Sequence, residues 1–149
     1  YDIVLTTNSG YPLDINLYQA AKGMSAAARI VKPGGSIVMV AECRDGIPDY
    51  GEYRDLIHAG GSVEGVLRVI SQPGFRRHDM WQGQLQAGIQ QKADVLVYSD
   101  GLSDAQIEGM LFSPCRDIPA TIEQLCAKHG PHATLCVLPE GPQTIPCIG

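Results

Sequence analysis

Apolar residues in this chain fall in short β-rich runs separated by longer stretches of helical spacing. Asp2-Ile-Val-Leu-Thr-Thr7 is the first such run. It ends in the turn formers Asn8-Ser9-Gly10, and Pro12 and Asp14 then open a long helical pattern that closes at Pro33-Gly34-Gly35. Within that pattern Leu17, Ala21, Met24, Ala28 and Val31 recur at helical intervals and form the stripe expected to lie on a sheet. Ser36 to Ala41 (SIVMVA) is continuously apolar, as strands buried on both faces are. Between Tyr50 and Ile70 the pattern predicts two short helices split at Gly60-Gly61, with Ser62 as N-cap and Glu64 in the first turn of the second. Asp79 is expected to cap a further helix through Lys92, and Asp94 to Ser99 reads as a third strand. A weaker helix covers Ser103 to Met110. A stronger one, Ile118 to His129, is entered through Pro119 and stopped by Gly130-Pro131, and Thr134 to Leu138 gives a fourth strand.

Strands alternating with helices imply right-handed crossovers. The expected fold is therefore α/β: a Rossmann-like doubly wound sheet of about four mostly parallel strands with helices on both faces. A length of 149 residues suits one domain, which at this size buries roughly 68–70% of the surface its unfolded chain exposes. Ligands of such sheets bind beyond the carboxyl ends of the strands. That directs attention to Asn8–Asp14, Glu42–Gly46, Ser99–Ser103 and Pro139–Gln143.

Charge narrows the partners. A formal net charge of −5, with 11 scattered Lys and Arg, argues against nucleic acid, whose phosphates call for clustered cations. The apolar runs fall far short of the roughly 20 residues that span a bilayer, so no membrane is expected. Five cysteines without CxxC spacing suit reduced thiols, and with no leader visible the expected compartment is the cytoplasm. The chain starts at Tyr1 and enters a strand pattern at once, and we read it as a fragment of a longer protein.

The candidate chemistry is sparse. Neither GxGxxG nor GxxxxGK[ST] occurs, so the two common phosphate-cradling loops are missing. Gln19, Lys22, Ala26 and Arg29 lie opposite the apolar stripe of the first helix, and Gln19 and Lys22, three apart, project as neighbours able to act on one ligand. Exposed Gln and Lys are ordinary on a solvated face. This face, however, also carries Ile15 and Ala26 and no acid, a composition that suits closure by another domain. Trp81, the one tryptophan, has Leu85 and Ile89 at the following helical turns, the spacing of a core-packing aromatic. His129-x-x-His132 straddles a helix stop without a third ligand nearby and reads as a surface loop, and His58 and His78 stand alone.

The segment Gly10-Tyr-Pro-Leu-Asp-Ile-Asn-Leu-Tyr-Gln-Ala-Ala-Lys-Gly-Met24 closely resembles the second domain of the nickel-dependent lactate racemase family. The resemblance continues through Val31-Lys-Pro-Gly-Gly35 and Asp79-Met-Trp-Gln82 to Leu138-Pro-Glu-Gly-Pro-Gln-Thr-Ile-Pro146, so it covers nearly the whole chain in order. It implies an enzyme of two α/β domains, with this chain as the C-terminal one, facing its own N-terminal domain across a cleft. It also implies a nickel pincer nucleotide tethered by that absent domain, none being expected in this fragment, and a small 2-hydroxy acid as substrate, lactate by default. In the implied reaction a histidine takes the hydroxyl proton while hydride moves from the α-carbon to the cofactor ring, giving a transient 2-keto acid that takes the hydride back on either face.

The family's substrate-facing glutamine, lysine and tryptophan match Gln19, Lys22 and Trp81. Its catalytic histidines, carboxylate-binding arginine, cofactor-tethering lysine and nickel-ligating histidine belong to the other domain. The resemblance thus implies no catalytic and no metal-binding residue in this chain, and an inactive fragment. Two alternatives stand beside it. The nucleotide-binding domain of a dehydrogenase would have a Gly-rich turn after the first strand, where Asn8-Ser9-Gly10 stands, and an acid after the second, where Glu42 stands. A non-catalytic α/β domain that binds a small molecule is the other.

Overall fold

The computed structural model describes residues 1–145 and 147. Pro146, the last residue of the family motif, lies outside them. Five parallel strands form one sheet in the order β4-β3-β2-β1-β5. They are β1 (Ile3–Thr7), β2 (Gly35–Val40), β3 (Ala93–Tyr98), β4 (Ser113–Pro114) and β5 (Leu135–Leu138). The fifth strand is the correction to the expected four: β4 is two residues long, and Ser-Pro carries no apolar run from which a strand could be read.

The connections supply six α-helices among the described residues. They are α1 (Leu17–Ile30), α2 (Tyr53–Gly60), α3 (Val63–Ile70), α4 (Met80–Lys92), α5 (Asp104–Gly109) and α6 (Ile118–His129), followed by a 3₁₀ turn at Gly141–Gln143. The march from β1 to β4 in one direction, with right-handed crossovers, puts α1 to α5 on one face, and the return to β5 puts α6 on the other. The packing follows. Met24, Met39, Leu56, Val97 and Ile107 belong to the large core on the first face, while Ile3, Val38, Cys115 and Leu125 form a smaller one under α6.

Helix starts follow local chemistry, with two departures from expectation. Ser62 caps α3 by accepting from the Gly65 N–H, and Ser103 with Gln106 forms a capping box on α5. α1 starts later than Pro12 and Asp14 suggest. Its N-cap is Asn16, and Asp14 is buried in the preceding loop. Asp79 precedes α4 but makes no capping bond to it.

The α1 stripe is also broader than its spacing predicts. Ala20, Gly23 and Ala26 are buried with it, Gly23 and Ala26 because residues 141–145 fold back along the helix. Ala26 is only 8% exposed, so this one apolar residue of the face is covered by the chain itself, whereas Lys22 and Arg29 remain exposed and Ile15 and Gln19 half-buried.

Asp2 ties the start of β1 to two other segments. Its carboxylate accepts from Lys32 Nζ at 2.8 Å, from the Thr134 N–H at 2.9 Å and from the Thr134 hydroxyl at 2.6 Å. The Lys32 bond first, then Thr134, hold this carboxyl well below the usual range. A depressed carboxyl contributes stability above its unfolded value, near 3.9, and that contribution is lost as pH falls through the lower folded value. Urea unfolding of the wild type should therefore grow easier below about pH 4. Asp2→Asn should flatten that dependence, and an equally steep acid limb in the variant would refute the assignment.

Candidate functional site at the carboxyl edge of the sheet

Three of the loops at the carboxyl ends of the strands are bonded to one another. The Cys43 N–H donates to the Asp14 carbonyl at 3.0 Å, Asp45 N–H to Ile15 at 2.9 Å and Leu17 N–H to Gly46 at 3.0 Å. The Asp14 carboxylate accepts from the Glu42 N–H at 3.0 Å. From the next strand, the Ser99 hydroxyl donates to the Glu42 carbonyl at 2.7 Å. This platform fixes the point where α1 begins. Asn16 Oδ1 then accepts the Gln19 N–H at 3.0 Å, which holds Gln19 in the first turn.

Gln19 and Lys22 meet as their spacing predicts, with Lys22 Nζ donating to Gln19 Oε1 at 2.5 Å. No carboxylate pairs with Lys22 among the described residues. Its charge is available to a ligand. Lys22 lines a crevice of about 320 Å³ between α1 and residues 141–145, with Ser25, Arg29 and Thr144, and no acid lines it. β1 hands on to α1 on one face while β5 arrives from α6 on the other, so this crevice begins beside the topological switch point between β1 and β5, where open α/β sheets take ligands, and runs down α1 to Arg29 in its last turn.

A slightly larger hollow of about 350 Å³ lies among Leu56, Val69 and Phe75 and contains none of the predicted residues. Its one cation is already paired, Arg77 Nη1 to Glu52 Oε1 at 2.6 Å, and Asp55 adds a second carboxylate to its lining, so it suits an anionic ligand poorly. We therefore place the site at the crevice.

Trp81 is 51% exposed and does not pack into the core, although Ile89, on the same spacing, does. Its ring stands edge-on to Tyr18, centroids 6.0 Å apart, and Tyr18 in turn stands edge-on to buried Tyr53 at 5.4 Å. Gln82 Nε2 donates to the Tyr18 carbonyl at 3.1 Å. Tyr18 thus joins the helix of Gln19 and Lys22 to the helix of Trp81. Sequence reasoning passed over it, and the available signal was its adjacency to Gln19 in the first turn of α1. Burial, and then the neighbouring Asp79 carboxylate, push the Tyr18 phenol up to about 12, so it stays a donor across the neutral range.

Other reactive groups are occupied or buried. Burial pushes the Cys43 thiol up to about 12, against a lowering hydrogen bond from Ser99, and holds it neutral. His129 Nε2 lies 3.0 Å from the Ser36 hydroxyl, so His129 is anchored to β2. Among the described residues no group of three or more His, Cys, Asp and Glu could hold a metal ion.

Residues 1–145 match the family model described as the lactate racemase C-terminal domain. The chain belongs to that family. It is 36% identical over 141 residues to a lactate racemase of Lactiplantibacillus plantarum, covering 94% of this chain and 33% of that protein. A lactate racemase of Thermoanaerobacterium thermosaccharolyticum is 30% identical over 145 residues, covering 97% of this chain and 34% of the relative. The structure of the lactate racemase apoprotein from the latter organism superposes with a TM-score of 0.84 at 29% identity, over 97% of this chain and 35% of that one.

The chain spans about a third of the length of the curated relatives it matches. Of the three residues singled out for a lactate racemase C-terminal domain, two touch and the third is joined to them through Tyr18. The exposed rings and side chains of Tyr11, Leu13, Tyr50 and Trp81 gather at the same edge, since they lie in the loops after β1 and β2 and in the first turn of α4. No helix among the described residues is long and apolar enough to cross a membrane.

Proposed function

We propose that this domain is the substrate-facing C-terminal half of a racemase or epimerase of 2-hydroxy acids, with lactate as the default substrate. The observation that carries the reading is Lys22. It is a cation free of acidic partners among the described residues, held beside Gln19 at the switch-point crevice of a lactate racemase C-terminal domain. A 2-hydroxy acid brings a carboxylate, and a charge-assisted hydrogen bond from Lys22 anchors it. Gln19 offers both a donor and an acceptor, enough to orient the hydroxyl and a carboxylate oxygen together. Trp81, half exposed at the same edge, supplies an apolar wall that keeps water from the reacting carbon.

In this reading the nickel pincer nucleotide and the proton-transferring histidines are held by the remainder of the parent polypeptide, and the cofactor supplies the hydride chemistry there. Tyr11, Leu13, Tyr50 and Trp81 give that remainder an apolar edge to close upon. The isolated chain is inactive, and its five free thiols suit the cytoplasm. The family match favours this reading over a dehydrogenase, whose acid after the second strand would have to be Glu42. That residue is paired with Arg44 at 3.1 Å.

The test is chiral chromatography of lactate and a panel of 2-hydroxy acids after incubation with the full-length parent loaded with its cofactor. Conversion of one enantiomer into the other is expected with the parent and not with this chain alone. A fully loaded parent that leaves every panel member unchanged would overturn the reading.

A further inference from the structure

Asp79 is a charged group at this site that the substrate reading leaves without a task. It sits at φ +62, in the left-handed region that Asn, Asp and Gly tolerate best, directly before α4. Its carboxylate turns away from the helix it precedes. Oδ1 accepts the Tyr18 hydroxyl at 3.1 Å, and Oδ2 accepts the Glu52 N–H at 3.4 Å. The loop before α2 closes tightly over it: a Cβ on Gly51 would lie 2.3 Å from Oδ2. One side chain therefore ties three segments together. These are the first turn of α1, the start of α2 and the start of α4, whose second residue is Trp81.

Tyr18 is the element through which this tie reaches the site. Its ring is fixed at one end by Tyr53 and presents its edge to Trp81, at interplanar angles of 85° and 84°. Its hydroxyl has Asp79 as its hydrogen-bond acceptor. Without that acceptor the ring keeps Tyr53 but loses the bond that sets its tilt. Trp81 is 51% exposed and meets the Tyr18 ring edge-on, so a change in the tilt of Tyr18 reaches it directly.

We propose that Asp79 is a positioning residue of the substrate site: by holding the Tyr18 hydroxyl it sets the orientation of Trp81 relative to Gln19 and Lys22. The inference rests on the reading that Trp81 faces substrate, but its structural half can be measured apart from turnover. The phenol, raised to about 12 by burial and by Asp79, keeps its proton for this bond at every pH at which the site would work.

The decisive variant is Asp79→Asn. Asn tolerates the left-handed backbone and matches the shape, but its amide has one acceptor oxygen where the carboxylate has two, so once the Glu52 N–H keeps that oxygen, the Tyr18 hydroxyl can no longer donate to this side chain and must turn to accept from the amide N–H. Trp81 is the one tryptophan of this chain, so its emission excited beyond the tyrosine absorption, and the indole fine structure at the red edge of the near-ultraviolet circular dichroism, report its own surroundings. Asp79→Asn and Tyr18→Phe should each shift those signals, and the double variant should shift them no further than one single variant does. In the full-length parent, each should lower kcat about tenfold with KM changed less than about twofold, again without additivity.

Unchanged Trp81 spectra in both single variants would overturn the proposal, as would additive losses in kcat. Should Asp79→Asn fail to fold, Tyr18→Phe decides, since it removes a single hydroxyl and keeps the ring packing. If the wild-type parent racemises nothing, the proposed function falls, and the spectral coupling still decides whether Asp79 sets Trp81.

Discussion

Replacing Lys22 with alanine in the full-length parent should lower kcat/KM for racemisation by roughly 10- to 150-fold, the rate equivalent of a charge-assisted hydrogen bond worth about 1.5–3 kcal/mol. The argument is electrostatic. Lys22 faces no acid in its crevice, so its charge is not already neutralised within the chain. Its hydrogen-bond partner is the neutral Gln19 side chain, which can turn to a substrate oxygen without breaking an ion pair. Removing the ammonium leaves an incoming carboxylate with the Gln19 amide alone. Lys22→Arg should recover part of the loss, because the charge returns with a different donor geometry. Steady-state kinetics with a single enantiomer and chiral product analysis measure it. A Lys22→Ala parent as active as wild type would show that the substrate carboxylate binds elsewhere.

Gly141→Ala should destabilise the chain by about 1–3 kcal/mol, the usual cost of overpacking a tight site. A Cβ there would lie 2.5 Å from Thr6 Oγ1, 2.6 Å from the Thr7 carbonyl and 3.1 Å from the Gly23 Cα. Two of these three atoms are backbone, so no side chain can swing aside to make room for all of them. Gly23 is the facing half of the same contact, its own Cβ position 2.6 Å from the Thr7 carbonyl. Two glycines thus let residues 141–145 lie against α1 and form the outer wall beside Lys22. Urea unfolding should show a lower midpoint at unchanged slope, and the same substitution in the parent should weaken activity through the misplaced wall. Wild-type stability in Gly141→Ala would mean that the segment is not seated as tightly as these distances state.

Much of the architecture was legible because it rests on short-range chemistry. The SIVMVA run became the central strand β2, Ser62 became an N-cap, and Pro119 with Gly130 bounded α6. What escaped was set by contacts distant in sequence. β4 has no apolar signal of its own and is a strand because Leu96 and Val97 offer it an edge. Asp79 looks like a cap from its neighbours, but its carboxylate answers to Tyr18 and Glu52, 61 and 27 residues away. Ala26 reads as exposed on the helix alone and is covered by a segment more than a hundred positions later. α4 buries Gln82 and Gln86, so its inner face cannot be told from hydrophobicity. At the site, the Gln19 and Lys22 contact follows from helix geometry, whereas the link from Trp81 to that pair needed Tyr18, which no spacing rule selects.

The seating of β5 beside β1 also bears on the order in which a growing chain can acquire this site. Ile3 pairs with Leu135, and the Thr7 hydroxyl reaches the Pro139 carbonyl at 2.6 Å across 132 positions. Local helices can form early, but closing so long a loop comes at a large entropic cost that must be met before its contacts repay it. A ribosome releasing this segment from its amino end will have delivered Lys22 and Gln19 long before the residues that wall their crevice. Until residues 135–145 emerge, β1 is an open sheet edge with a cation beside it. A molecule halted short of that point would keep most of its core and lack the crevice.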